Sequence, residues 1–119
     1  MQYSLLIYQT ETQFAARTDP ARRDANGAAF MGYVRSLQEA GILITTLGIE
    51  PAETAATVHA VDGAPHVQSG PYAAAKAQLG GLCVIDAQDM DAALAWARRA
   101  PFEHCAAVEV RPTRVVPAA

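Results

Sequence analysis

Ser69-Gly70-Pro71-Tyr72-Ala73-Ala74-Ala75-Lys76-Ala77-Gln78-Leu79-Gly80-Gly81-Leu82-Cys83-Val84-Ile85-Asp86 is the stretch around which the chain is organised. Gly70-Pro71 makes its opening a turn, since proline presets φ and glycine reaches conformations closed to other residues. A small-residue connector follows and carries the only lysine, Lys76. Gly80-Gly81 is expected to permit an unusual backbone. Residues 82–87 then read as a central strand, with the connector flooring a cleft beside it.

Working outward, residues 3–8 predict a strand. Tyr3, Leu5 and Ile7 share one face, while Leu6 and Tyr8 make the other face apolar too. Residues 9–18 are polar, without period, and read as a loop. Asp19-Pro20 predicts a helix start, with aspartate as the cap and proline at the first helical position. Phe30, Tyr33, Val34 and Leu37 then form an apolar stripe, and Gly41 ends the helix. Residues 42–48 and 56–61 predict two more strands. Asp62-Gly63-Ala64-Pro65 predicts a turn, and residues 66–68 a short antiparallel return. Beyond the central strand, Asp89 is expected to cap a helix that buries Met90, Ala93, Leu94 and Ala97, and Pro101 follows that helix. Residues 107–111 form the last predicted strand, and 112–119 an extension.

The resulting order, β-α-β-β-(β)-α-β, is the split β-α-β, ferredoxin-like arrangement of the α+β class. Two helices cover one face of such a sheet. The first, second and central strands are apolar on the other face as well, a patch too large for a lone protomer. The expected cover is a second copy, sheet against sheet, giving a homodimer with the form of a dimeric α+β barrel.

A chain of 119 residues has room for one domain, and about half of its residues are apolar, so the whole of 1–119 reads as a single globular unit. The net charge of −3 and the scattered arginines argue against direct nucleic-acid binding. No apolar run approaches the roughly 20 residues of a membrane span, and no leader signature precedes the first strand, so a cytoplasmic protein is expected. Cys83 and Cys105 make no disulfide framework. Cys83 lies in an apolar run and reads as a small core residue.

The pattern resembles the DGPF-domain group of the YCII-related family. Ser69-Gly70-Pro71-Tyr72 stands where that group has Asp-Gly-Pro-Phe. Lys76, Gln78-Leu79-Gly80-Gly81 and Ile85-Asp86 follow it, with Leu5-Leu6-Ile7-Tyr8, Glu39-Ala40-Gly41, Thr57-Val58, Ala92-Ala93-Leu94-Ala95-Trp96 and Val108-Glu109-Val110-Arg111-Pro112 elsewhere. The resemblance implies a small bacterial protein of dimeric α+β barrel form, in a family mostly without assigned activity and partly associated with alternative sigma factors. The departures are specific. Ser69 replaces the signature aspartate, and Ala74 and Ala77 replace acidic positions beside the lysine. The wider family includes proteins with a proposed His/Asp pair. Here Phe30 takes the histidine position and Glu39 lies near the aspartate, and phenylalanine cannot shuttle a proton.

Tyr8, Ser69, Tyr72, Lys76 and Arg111 are the candidate ligand-binding residues. Ser69 offers a hydroxyl at the cleft, against a plain turn-initiating role. Tyr72 stands for the family's phenylalanine. Lys76, with no carboxylate in its alanine-rich connector, is expected to attract a small anionic molecule, against an ordinary surface lysine. Glu109 and Arg111 either line a cleft or form an ion pair. His59 and His66 flank a turn without a placed carboxylate or thiolate, so no metal is expected. No phosphate loop or dinucleotide motif is present, and no cofactor is expected. Three functions stay open: a small-ligand binder, a protein-interaction module linked to transcription, and a cofactor-free enzyme.

Overall fold

A computed structural model describes residues 1–118. Strand β1 (Gln2–Thr10) runs straight into a short helix α1 (Glu11–Ala15), and a loop leads to the long helix α2 (Arg23–Glu39). Strand β2 (Leu43–Gly48), one 3-10 turn at Ala52–Thr54, the hairpin β3 (Ala56–Val61) and β4 (Ala64–Ser69), and strand β5 (Ala77–Asp86) follow. Helix α3 (Met90–Ala97) and strand β6 (Ala107–Thr113) complete the chain. The main sheet has the order β2-β5-β1-β6 and is antiparallel throughout. This is the ferredoxin-like order expected, with a hairpin inserted between β2 and β5.

Alternation along β1 decides which face is covered. Tyr3, Leu5, Ile7 and Gln9 are buried, and the residues between them only half so. The buried set packs with Cys83 and Ile85 of β5, Tyr33 and Leu37 of α2, and Ala93 and Ala97 of α3. Cys83 is a core residue, as its apolar setting predicts. The opposite face carries Leu6, paired with Leu82, and Ser4, paired with Val84. Leu47 lies beside Leu82 and is 56% exposed. No helix among the described residues covers this side: the buried partners in α2 and α3 all lie on the first face.

Several local expectations need correcting. Residues 9–18 are not a loop. Thr10 and Gln13 form a capping box, with the Gln13 amide donating to Thr10 Oγ1 at 3.3 Å and the Thr10 amide to Gln13 Oε1 at 2.9 Å. Helix α2 starts at Arg23 rather than at Pro20. Arg22 Nε donates to the Asp19 carboxylate at 2.6 Å, and a guanidinium competes well with backbone amides for it. The central strand starts at Ala77, before the double glycine, and neither Gly80 nor Gly81 has a positive φ. Strand β4 begins at Ala64, because Asp62 and Gly63 alone make the turn, both with positive φ. Strand β6 runs on through Pro112 to Thr113, whose hydroxyl pairs with that of Ser4 at 2.7 Å.

Candidate functional site

Between α2 and the covered face of the sheet lies a cavity of about 490 Å³. Phe30 and Tyr33 come from α2, Ile7 and Gln9 from β1, and Gly80, Gly81 and Cys83 from β5. That volume is in the range of small-molecule pockets, and the lining is mostly apolar with few polar groups.

The polar end is built from β1 and α1. Gln9 continues the buried face of β1 and is only 1% exposed. Its Nε2 donates to the His104 carbonyl at 2.9 Å. The capped α1 buries Phe14 and turns the chain back, so that the Arg17 guanidinium lies over the Phe14 ring at 4.3 Å. Arg17 donates to Gln9 Oε1 at 2.8 Å, to the Ile49 carbonyl at 2.6 Å, and to the Gly80 carbonyl. Gly80 is the extra residue of a bulge, since Ile7 pairs with Gly81 and Tyr8 with Leu79. A bulge re-aims the strand at this point. A Cβ on Gly80 would collide with Gln9 Oε1 and lie 2.9 Å from Arg17 Nη2. A Cβ on Gly81 would lie 2.9 Å from the Leu47 carbonyl. The double glycine thus serves close approach, of Gln9 and Arg17 on one side and β2 on the other, and not an unusual φ.

Arg17 has no carboxylate within ion-pair distance among the described residues. Burial pulls its pKa down, and the more distant Glu50 partly offsets this. On α2, Asn26 lines the cavity, is 5% exposed, and its Nδ2 has no hydrogen-bond partner. Buried amides without a partner are uncommon in folded proteins. Cys83 and Tyr33 complete the titratable lining. Burial raises the Cys83 thiol, against a smaller opposing effect of the Thr46 hydroxyl. Burial raises the Tyr33 phenol, whose hydroxyl donates to the Trp96 carbonyl at 2.8 Å. The lining holds neither a carboxylate nor an imidazole. Phe30 lines the cavity, whereas Glu39 lies exposed at the end of α2 and does not.

The five residues expected from the sequence are dispersed. Tyr8 and Tyr72 line a separate hollow of about 470 Å³ on the uncovered side, where the β3–β4 connections meet the start of β5. Lys76 lines a neighbouring hollow together with Arg17, Glu11, Glu50 and Glu53, so carboxylates from other elements share the hollow of a lysine that its own connector leaves bare. Ser69 ends β4 opposite Ala56 and lines none of these hollows. The turn after it is held by Gly70, with φ +90°, whose amide donates to the Ala55 carbonyl at 2.7 Å. Arg111 is exposed and pairs with Glu109 two residues away on the same strand. His59 and His66 are direct partners across the hairpin. No group of three or more metal-ligating side chains occurs among the described residues. No helix among them is long and apolar enough to cross a membrane.

Gln9, Arg17 and Asn26 were the residues that sequence reasoning missed. Gln9 sits at the next alternating position after Tyr3, Leu5 and Ile7, and Thr10-x-x-Gln13 is a capping signature, so two signals were legible. Arg17 and Asn26 carry no comparable signal.

Among curated proteins, none matches this sequence. A solved structure with a similar fold is the 5-chloro-2-hydroxyhydroquinone dehydrochlorinase (TftG) from Burkholderia phenoliruptrix AC1100, in complex with 2,5-dihydroxybenzoquinone. It is 16% identical, with a TM-score of 0.54, over 96% of this chain and 94% of that one. The model of the YCII-related domain matches residues 1–116, and by that match the chain belongs to the YCII-related family.

Proposed function

We propose that this protein is a cytoplasmic homodimer of the DGPF group that binds a small ring-shaped organic molecule in the cavity beneath α2. The observation that carries the reading is the cavity itself, with aromatic walls and the unpartnered Asn26 side chain in its lining. The dehydrochlorinase of similar fold holds a six-membered ring compound, which fits a cavity of this size. Binding is preferred to catalysis because the lining offers no group that titrates near neutrality: its phenol and its thiol are both pushed upward. The dimer is supported by the uncovered face around Leu6, Leu82 and Val84. The hollow holding Tyr8 and Tyr72 opens on that side, so a second copy docked there would close it.

Gly27 lies on the rim of the cavity, and a Cβ there meets nothing within 4 Å. Gly27→Leu should therefore plug the mouth while raising stability by about 1 kcal/mol through helix propensity. Calorimetric titration with 2,5-dihydroxybenzoquinone and other single-ring compounds should show binding to the wild type and none to Gly27→Leu. Equal binding by both proteins would place the ligand elsewhere.

A further inference from the structure

We infer that the ligand of this cavity is a small organic acid whose oxyanion is received by Arg17 and Asn26. The inference rests on the cavity being the binding site and adds the charge and chemical class of what enters it. Three observations lead to it.

The first is that Arg17 lacks a carboxylate partner. A guanidinium has five N–H donors. Its bonds to the Ile49 carbonyl, Gln9 Oε1 and the Gly80 carbonyl engage one N–H of Nη1 and those of Nη2. The Nε–H and the second Nη1–H remain. Its hydrogen-bond partners are all neutral, and the more distant Glu50 offsets its burial only in part, so a partly buried positive charge lacks a close anion, which is costly. Glu50, the carboxylate that influences it, lines the neighbouring hollow, which Arg17 also borders, and not the cavity.

The second is Asn26. A side chain 95% buried, given its 5% exposure, with an unsatisfied amide nitrogen, signals a missing acceptor. Arg17 and Asn26 reach the same cavity from different elements, one from the α1 loop and one from the first turns of α2. Both offer donors. Gln9 Oε1, a side-chain acceptor in the same lining, is already occupied by Arg17.

The third is what is absent from the lining. No carboxylate faces the cavity to repel an anion or to receive a cation. Phe30 and Tyr33 supply the apolar walls for the body of the molecule, and planar arenecarboxylates and phenolates combine such a body with an oxyanion. Charge-assisted hydrogen bonds to a carboxylate are the stronger kind, and a donor site built for an anion rejects the neutral isostere.

The test uses three compounds of one shape: benzoate, benzamide and benzamidine. Titration of the full chain at pH 7 should show benzoate binding about tenfold or more tighter than benzamide, with benzamidine weakest. Arg17→Gln should erase the preference of benzoate over benzamide. Because Arg17 also ties three elements together, Asn26→Ala is the second variant. It removes an unsatisfied group, so its thermal stability should hold or rise while benzoate affinity falls, an outcome that a merely structural role would not produce. Equal binding of benzoate and benzamide by the wild type would overturn the inference and leave the cavity reading standing. Unchanged benzoate affinity in both variants would overturn it as well. Failure of all three compounds, and of every other single-ring compound, to bind would remove both.

Discussion

Gly80 is the residue on which the polar end of the cavity turns. Its missing side chain lets Gln9 Oε1 and Arg17 approach the strand, and its carbonyl accepts from Arg17 and, at 2.9 Å, from the Ile49 amide. A single methyl has nowhere to go unless Gln9 moves, and Gln9 is held at its other end by the His104 carbonyl. Gly80→Ala should therefore cost about 1–3 kcal/mol, as overpacking does. Gly27→Ala, in open space on α2, should instead gain up to about 1 kcal/mol. Urea unfolding of the two variants checks both signs. A Gly80→Ala protein as stable as the wild type would mean that the Gln9–Arg17 bond yields freely.

Helix α1 has five residues, too few to be stable by its own propensity. It exists because Thr10 and Gln13 cap its start reciprocally and because Phe14 is buried below it. Its role is to aim the chain so that Arg17 returns under the strands. Thr10→Ala should cost about 1 kcal/mol of stability, the usual value of a cap. It should also weaken binding of a ring-bearing carboxylate, because Arg17 loses its fixed approach. Chemical unfolding and titration on the same variant measure the two effects. A loss of stability with full affinity would show that Phe14 alone positions the arginine. The hairpin is the opposite case. It packs on no other element to any substantial extent, and Val58 and Val67 are 66% and 76% exposed. A two-stranded hairpin alone is marginal in water, so the hairpin is the least supported element of the chain.

The radius of gyration is 16.0 Å, above the about 13–14 Å typical of a compact chain of this length. The projecting hairpin and the one-sided sheet account for the excess. If a second copy covers the open face, light scattering at micromolar concentration should give twice the mass of 12.6 kDa. Leu82→Glu, in the middle of that face, should then yield a folded species of single mass. A single mass for the wild type would defeat the dimer and leave the apolar face for a different protein.

Much of this architecture was legible along the chain. Two-residue alternation located β1 and β6 to within a few residues, and the Phe30–Tyr33–Leu37 stripe gave α2 its buried side. The Asp89 side chain caps α3 as its position predicts, accepting from the Ala92 amide at 2.9 Å. These features depend on neighbours in sequence, where period and capping chemistry act directly. The cavity does not. Gln9, Arg17, Asn26 and Gly80 come from four segments, and only the bulge in β5 and the return of the chain after α1 bring them together. The sequence spacing of Ser69 and Lys76 suggested a shared cleft, yet the turn at Gly70 and the extended start of β5 set them apart. A hydrogen bond between distant segments leaves no trace in local composition, so the fold could be read from the chain while the polar end of its cavity needed the tertiary structure.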